Sequence, residues 1–126
     1  MSQLKTITPD RAAELVHKGA VLIDVREAHE HAAEHIPGAR HHALSRIDPT
    51  HPIAAGDTVL IFHCKSGGRT NLNAGRLAAA AGKCEAYVLG GGIEAWRRAG
   101  LPTTAPAKAE GAAEGGIIGR ISSLFR

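Results

Sequence analysis

Cys64-Lys65-Ser66-Gly67-Gly68-Arg69-Thr70 is the stretch of this chain whose residue types can do covalent chemistry. A thiol is the strongest nucleophile among side chains once it is ionised. An apolar run, Thr58 to Phe62, leads into the stretch, and a helix-like segment from Asn71 to Ala81 follows it. A cysteine between a strand end and a helix start lies over N–H groups that the helix leaves unpaired, and the helix dipole adds positive charge. Gly67 and Gly68 free the backbone to turn tightly, and Lys65 reinforces the field that favours thiolate. A buried structural cysteine beside an ordinary glycine turn would explain neither the paired glycines nor a cation at each end.

Other elements must hold this loop in place. Thr8-Pro9-Asp10 reads as a helix start, with Lys18-Gly19 closing that helix after His17. Val21-Leu22-Ile23-Asp24-Val25 reads as a strand buried on both faces, which belongs in a parallel sheet. Asp24 is the exception in that run: a carboxylate near the end of a buried strand needs a cationic partner or caps a loop. Lys5 to Ile7, Arg40 to Ala43 and Ala86 to Leu89 supply shorter strands, and Ile93 to Ala99 a last helix. Strands alternating with helices predict an open α/β sheet, largely parallel.

Composition narrows the function. The chain of 126 residues has room for one core, its net charge is +3, and its basic residues are scattered. Phe62, Tyr87, Trp96 and Phe125 are its only aromatics, which leaves little stacking surface for nucleic acid. Two cysteines, Cys64 and Cys84, make neither a disulfide framework nor a zinc pair. The N-terminus lacks the apolar stretch of a signal peptide and no run would span a bilayer, so a reducing cytoplasm is expected. His29, His31, His35, His41 and His42 invite a metal site, but their spacing on a polar segment specifies no geometry. Solvent-facing histidines and no metal are the expectation.

Val21 to Glu27, Glu34-His35-Ile36-Pro37-Gly38-Ala39, the Cys64 loop, Gly91 to Trp96 and Gly100-Leu101-Pro102 occur in order, and together they resemble a single-domain rhodanese over residues 4–102. The resemblance implies a three-layer α/β sandwich around a mostly parallel five-stranded sheet, with helices on both faces. It implies a cofactor-free sulfurtransferase in which Cys64 takes a sulfane sulfur from thiosulfate or a similar small anionic donor. The sulfur is held as a persulfide and passed to cyanide, a thiol or a thioredoxin-like acceptor. The loop backbone and Lys65, Ser66, Gly67, Gly68, Arg69 and Thr70 would bind substrate; Lys65 favours thiosulfate over mercaptopyruvate. Asp24, Arg26 and Arg69 would support the loop, with Arg69 paired to Asp24.

The chain departs from that pattern at Lys65, where many relatives have Arg, at Lys83, where they often have an aromatic, and after Pro102. Related phosphatases place five residues between cysteine and arginine; here four separate Cys64 from Arg69, a smaller cradle. A persulfide carrier or partner-binding module is the alternative from another class. Cys84 could resolve the persulfide, but its place before a strand favours a bystander. Residues 103–116 read as an Ala/Gly/Pro linker. Residues 117–126 read as a short amphipathic segment that folds back, or docks on a protein or membrane.

Overall fold

The computed structural model describes residues 4–106. The linker from residue 107 onward and the amphipathic segment 117–126 lie outside the described residues. Five strands, β1 (Lys5–Ile7), β2 (Val21–Asp24), β3 (Arg40–His41), β4 (Val59–His63) and β5 (Glu85–Leu89), form one sheet in the order β1-β5-β4-β2-β3. Every pairing is parallel. Parallel neighbours need a crossover each, and these crossovers place helices on both faces.

The alternation of side chains sorts the core. On β2, Leu22 faces one layer and Ile23 the other; on β4, Ile61 faces the first, with Leu60 and Phe62 on the second. The first layer is closed by Ala12 of α1 (Pro9–His17) and by Ile93 and Trp96 of α5 (Gly92–Arg98). The second is closed by Leu77, Ala80 and Ala81 of α4 (Ala74–Ala81). Small side chains let α4 approach the sheet closely, which lets a core with few aromatics pack to density. The start of α1 is as expected, with Pro9 in the first turn and the Thr8 hydroxyl accepting from the Arg11 N–H at 3.1 Å.

Two elements differ from the sequence expectation. The helix after the cysteine loop is not continuous: α3 (Gly68–Leu72) stops and α4 starts afresh, with Asn73 between them at φ −116°. The Asn73 amide donates to the Arg69 carbonyl at 2.8 Å, and this local bond competes with the helical backbone. Thr103 and Thr104, placed at the start of the linker, lie against the domain. Thr104 and His35 exchange backbone hydrogen bonds of 2.7 and 2.9 Å, and the Thr103 hydroxyl donates to Glu34.

Candidate active site

β4 delivers Cys64 to the C-terminal edge of the sheet, where ligands bind in open α/β folds. The residue is 1% exposed and sits over the start of α3. Gly67 takes φ +103°, which turns its N–H back onto the Cys64 Sγ at 3.1 Å. The Thr70 hydroxyl stands 3.7 Å from the same sulfur and 3.0 Å from the Gly67 carbonyl, and its single O–H can serve either acceptor. Burial pushes the Cys64 thiol up, but the Thr70 N–H and hydroxyl and the N–H groups of Gly67 and Arg69 outweigh it. The net shift is below the ordinary 9.0. The loop is therefore an anion cradle built from backbone donors, with Lys65 and Ser66 exposed on its rim.

The cradle rests on α5. The Ile93 and Glu94 N–H groups donate to the carbonyls of Cys64 and Lys65 at 3.0 and 3.1 Å. That approach needs Gly92, which has φ +60° and no side chain: a Cβ there would lie 2.5 Å from both carbonyl oxygens. Gly92→Ala should cost about 1–3 kcal/mol and reduce turnover sharply, because the loop must move to clear the methyl. Thermal denaturation and steady-state rates check this; unchanged values for both would show that the contact is dispensable.

Asp24 is fully buried, and its partner corrects the sequence expectation. Arg26 engages it in bidentate fashion, Nε to Oδ1 at 3.0 Å and Nη2 to Oδ2 at 2.8 Å, and adds its backbone N–H at 3.0 Å. His31 Nδ1–H donates to Oδ2 at 2.8 Å. Burial alone would raise the Asp24 carboxyl; Arg26, the nearby His63 and His31 overcome it and hold the group well below its ordinary 3.8. Arg69 does not reach this carboxylate. It forms a bidentate pair, two bonds of 2.8 Å, with Glu30 of α2 (Ala28–Ala33). Arg26 lies two residues along the chain from Asp24 and fills the site first.

Arg69 thus fastens the cysteine loop to α2 rather than to β2. Its guanidinium holds the Glu30 carboxyl down at about 2, against an ordinary 4.5. A depressed carboxyl pKa stabilises the fold above the unfolded value and loses that contribution as pH falls through the folded one. Glu30→Gln should therefore lower stability by about 1 kcal/mol at neutral pH and flatten the stability curve between pH 4.5 and 2. Sulfur-transfer rate should fall as the loop loosens. Urea titrations across that pH range read the effect; a variant as acid-sensitive as the parent would exclude the role.

The histidines are not simply solvent-facing. His31 stacks on His35 and on His41, with centroids 4.2 and 4.8 Å apart, and His41 Nε2–H donates to the Arg26 carbonyl at 2.6 Å. No group of three or more metal-ligating side chains among the described residues is arranged to hold an ion. His63, unnoticed in the sequence, is fully buried beside Asp24 in the register and donates Nδ1–H to the Cys64 carbonyl at 3.1 Å. Burial lowers its pKa, against the Asp24 carboxylate beside it, which raises it. Cys84 precedes β5, at the opposite end of the sheet from Cys64, roughly 16 Å away by strand length. Its thiol bonds the Ala55 carbonyl at 2.9 Å.

A cavity of about 250 Å³ opens beside the loop, lined by Arg26, Glu30, Glu34, Lys65, Ile93 and Arg97. Glu30 is engaged by Arg69, and Glu34 by Arg97 at 2.6 Å. Lys65 is the cation of this lining with no ion-pair or hydrogen-bond partner for its side chain among the described residues.

A family model of the rhodanese-like domain matches residues 8–99. A thiosulfate sulfurtransferase GlpE of Ectopseudomonas mendocina is 41% identical over 100 residues, covering 77% of this chain and 88% of its own. One from Pseudomonas putida is 36% identical over 119 residues, covering 90% of this chain and all of its own. The crystal structure of a rhodanese-related protein from Thermoplasma volcanium superposes with a TM-score of 0.67 at 22% identity, over 79% of this chain and 97% of that one, which shows the shared fold. With the matched segment enclosing the cysteine loop, α2 and the α5 support, the chain belongs to the rhodanese family and is a sulfurtransferase.

Proposed function

We propose that the protein moves a sulfane sulfur from thiosulfate to a thiophilic acceptor through a persulfide on Cys64. The observation that carries this reading is the Cys64 sulfur accepting the Gly67 N–H at 3.1 Å, with the Arg69 and Thr70 N–H groups also turned toward it. In the first half-reaction the Cys64 thiolate attacks the outer sulfur of thiosulfate. A Cys64 S–S bond forms, the bond to the sulfonate sulfur breaks, and sulfite leaves with the electron pair. The anionic persulfide is then stabilised by the N–H groups of Gly67, Arg69 and Thr70, which are already oriented. Lys65, unpaired in the cavity lining, attracts the sulfonate end. In the second half-reaction an acceptor nucleophile takes the outer sulfur and Cys64 departs as thiolate. No oxidant or cofactor enters either step.

Arg69 supports this reading over phosphate-ester hydrolysis. Its planar fork is occupied by Glu30, so it is not free to hold a transferred phosphoryl group. The thiolate chemistry requires a reducing setting, and we assign the protein to the cytoplasm; no helix among the described residues is long and apolar enough to cross a membrane. We assign residues 1–102, with Thr103 and Thr104 held against them, to the catalytic domain, the following residues to 116 to a linker and 117–126 to an accessory segment.

Intact mass of the reduced protein after thiosulfate tests the first half-reaction. One added sulfur, discharged by cyanide, with parallel-line kinetics in the two substrates, is the expected result. Absence of the added sulfur with thiosulfate would overturn the reading.

A further inference from the structure

Leu72 ends α3, two residues beyond the Thr70 hydroxyl that stands at the Cys64 sulfur, and it is 86% exposed. It is the one large hydrophobic side chain among the described residues to be exposed in this way. The break at Asn73 fixes where α3 ends, through the bond from its amide to the Arg69 carbonyl. A leucine left in water at the rim of a catalytic loop forgoes burial that a partner could supply.

The charge flanking it in the chain is one-sided. From Cys64 to Cys84 the chain contains Lys65, Arg69, Arg76 and Lys83 and no carboxylate. Arg69 is neutralised by Glu30, whereas Arg76 donates only to the uncharged Ile47 carbonyl at 2.6 Å and keeps its full charge. The cavity carboxylates, Glu30 and Glu34, are each taken by an arginine. Segment 117–126 of this chain also carries arginines and no carboxylate, so it does not complement the surface.

We propose that Leu72, with Lys65 and Arg76 flanking it in the chain, forms the docking surface for a protein sulfur acceptor. That acceptor presents its thiol beside an apolar side chain and one or more carboxylates. The inference rests on the sulfurtransferase reading and names the partner of its second half-reaction. Docking brings the acceptor thiolate to the Cys64 persulfide; a bond forms to the outer sulfur, the bond to Cys64 breaks, and Cys64 recovers its electron pair. The acceptor leaves as a persulfide, with no change in overall oxidation state. Lys65 and Arg76 steer the acidic partner, and Leu72 supplies the desolvated contact.

The test uses the full chain with two synthetic peptides of equal length. Each has one cysteine and a flanking leucine, with two glutamates in one and two lysines in the other. At low salt the acidic peptide should show a KM lower than the basic one by about tenfold. Leu72→Asp should erase that preference, and Leu72→Ser should weaken it, while cyanide turnover stays at the parent value in both variants. Equal KM values for the two peptides, or a preference untouched in Leu72→Asp, would overturn the proposal. Parent protein that turns over cyanide normally without discriminating the peptides defeats the docking surface alone; no cyanide turnover defeats the sulfurtransferase reading and the proposal with it. A parent dimer that Leu72→Asp dissociates in sedimentation would assign the surface to a second copy. Competition by a synthetic segment 117–126 would assign it to this chain's own end. Either result overturns the proposal.

Discussion

Cys64→Ser should lower sulfur transfer from thiosulfate to cyanide by at least about 10³-fold and abolish the mass gain, with stability within about 1 kcal/mol of the parent. A serine hydroxyl can still accept the Gly67 N–H, so the loop keeps its shape while its nucleophile is gone. The same geometry makes a pH statement. Burial works against ionisation of Cys64, and the Thr70, Gly67 and Arg69 donors more than offset it, so alkylation by iodoacetamide should reach half-maximal rate below pH 9.0. Thr70→Val removes the hydroxyl at 3.7 Å and should move that midpoint upward. A midpoint at or above 9.0 in the parent would mean that the cradle does not stabilise a sulfur anion. Retained turnover in Cys64→Ser would remove the covalent mechanism altogether.

Asp24→Asn should cost about 3–5 kcal/mol, the largest stability loss expected of any conservative substitution at this site. The amide fills the same space but leaves Arg26, 5% exposed, without a counter-charge, and puts an amide N–H₂ where donors already converge. His31 and the Arg26 N–H also lose their acceptor at full strength. The pH dependence follows from the depressed carboxyl pKa. Asp24 contributes its stabilisation above 3.8 and gives it up as acid protonates the carboxylate, so the variant should be less acid-sensitive as well as weaker at neutrality. Urea midpoints at pH 7 and pH 3 measure both. Equal midpoints for variant and parent at pH 7 would show that Arg26 does not depend on Asp24.

The sheet and the position of the Cys64 loop at its edge are readable in the primary structure for the same reason. Apolar runs at 21–25 and 58–62 can only be buried on both faces, and a cysteine between such a run and paired glycines has few other structural explanations. What sequence could not supply was pairing across distance. Asp24 and Arg69 looked complementary, yet Arg26 is closer along the chain and has the geometry to take both carboxylate oxygens. Glu30, separated from Arg69 by 39 positions, sits on a polar helix whose charges read as solvated. The helix break at Asn73 was equally hidden, because it depends on one amide choosing the Arg69 carbonyl. Gly92 lies in a motif that marks the family, and its constraint, the loop carbonyls overhead, leaves no mark on local sequence. His31 and His41 read as surface residues because stacking and a buried carboxylate partner leave no mark on local spacing.

The strand order carries a consequence for how the chain is made. Among the described residues β1 has β5 as its only neighbour in the sheet, and β5 pairs with β1 and β4. During synthesis the first strand therefore has no partner until the last one has left the ribosome. The early half of the chain can assemble β2 with β3, then add β4 and the cysteine loop. The support for that loop arrives only with α5. Closing the sheet and supporting the Cys64 loop thus both need segments made late, and the β1–β5 pairing closes a long loop. A nascent chain stalled before residue 92 would carry Cys64 without the Ile93 and Glu94 backbone contacts that support its loop.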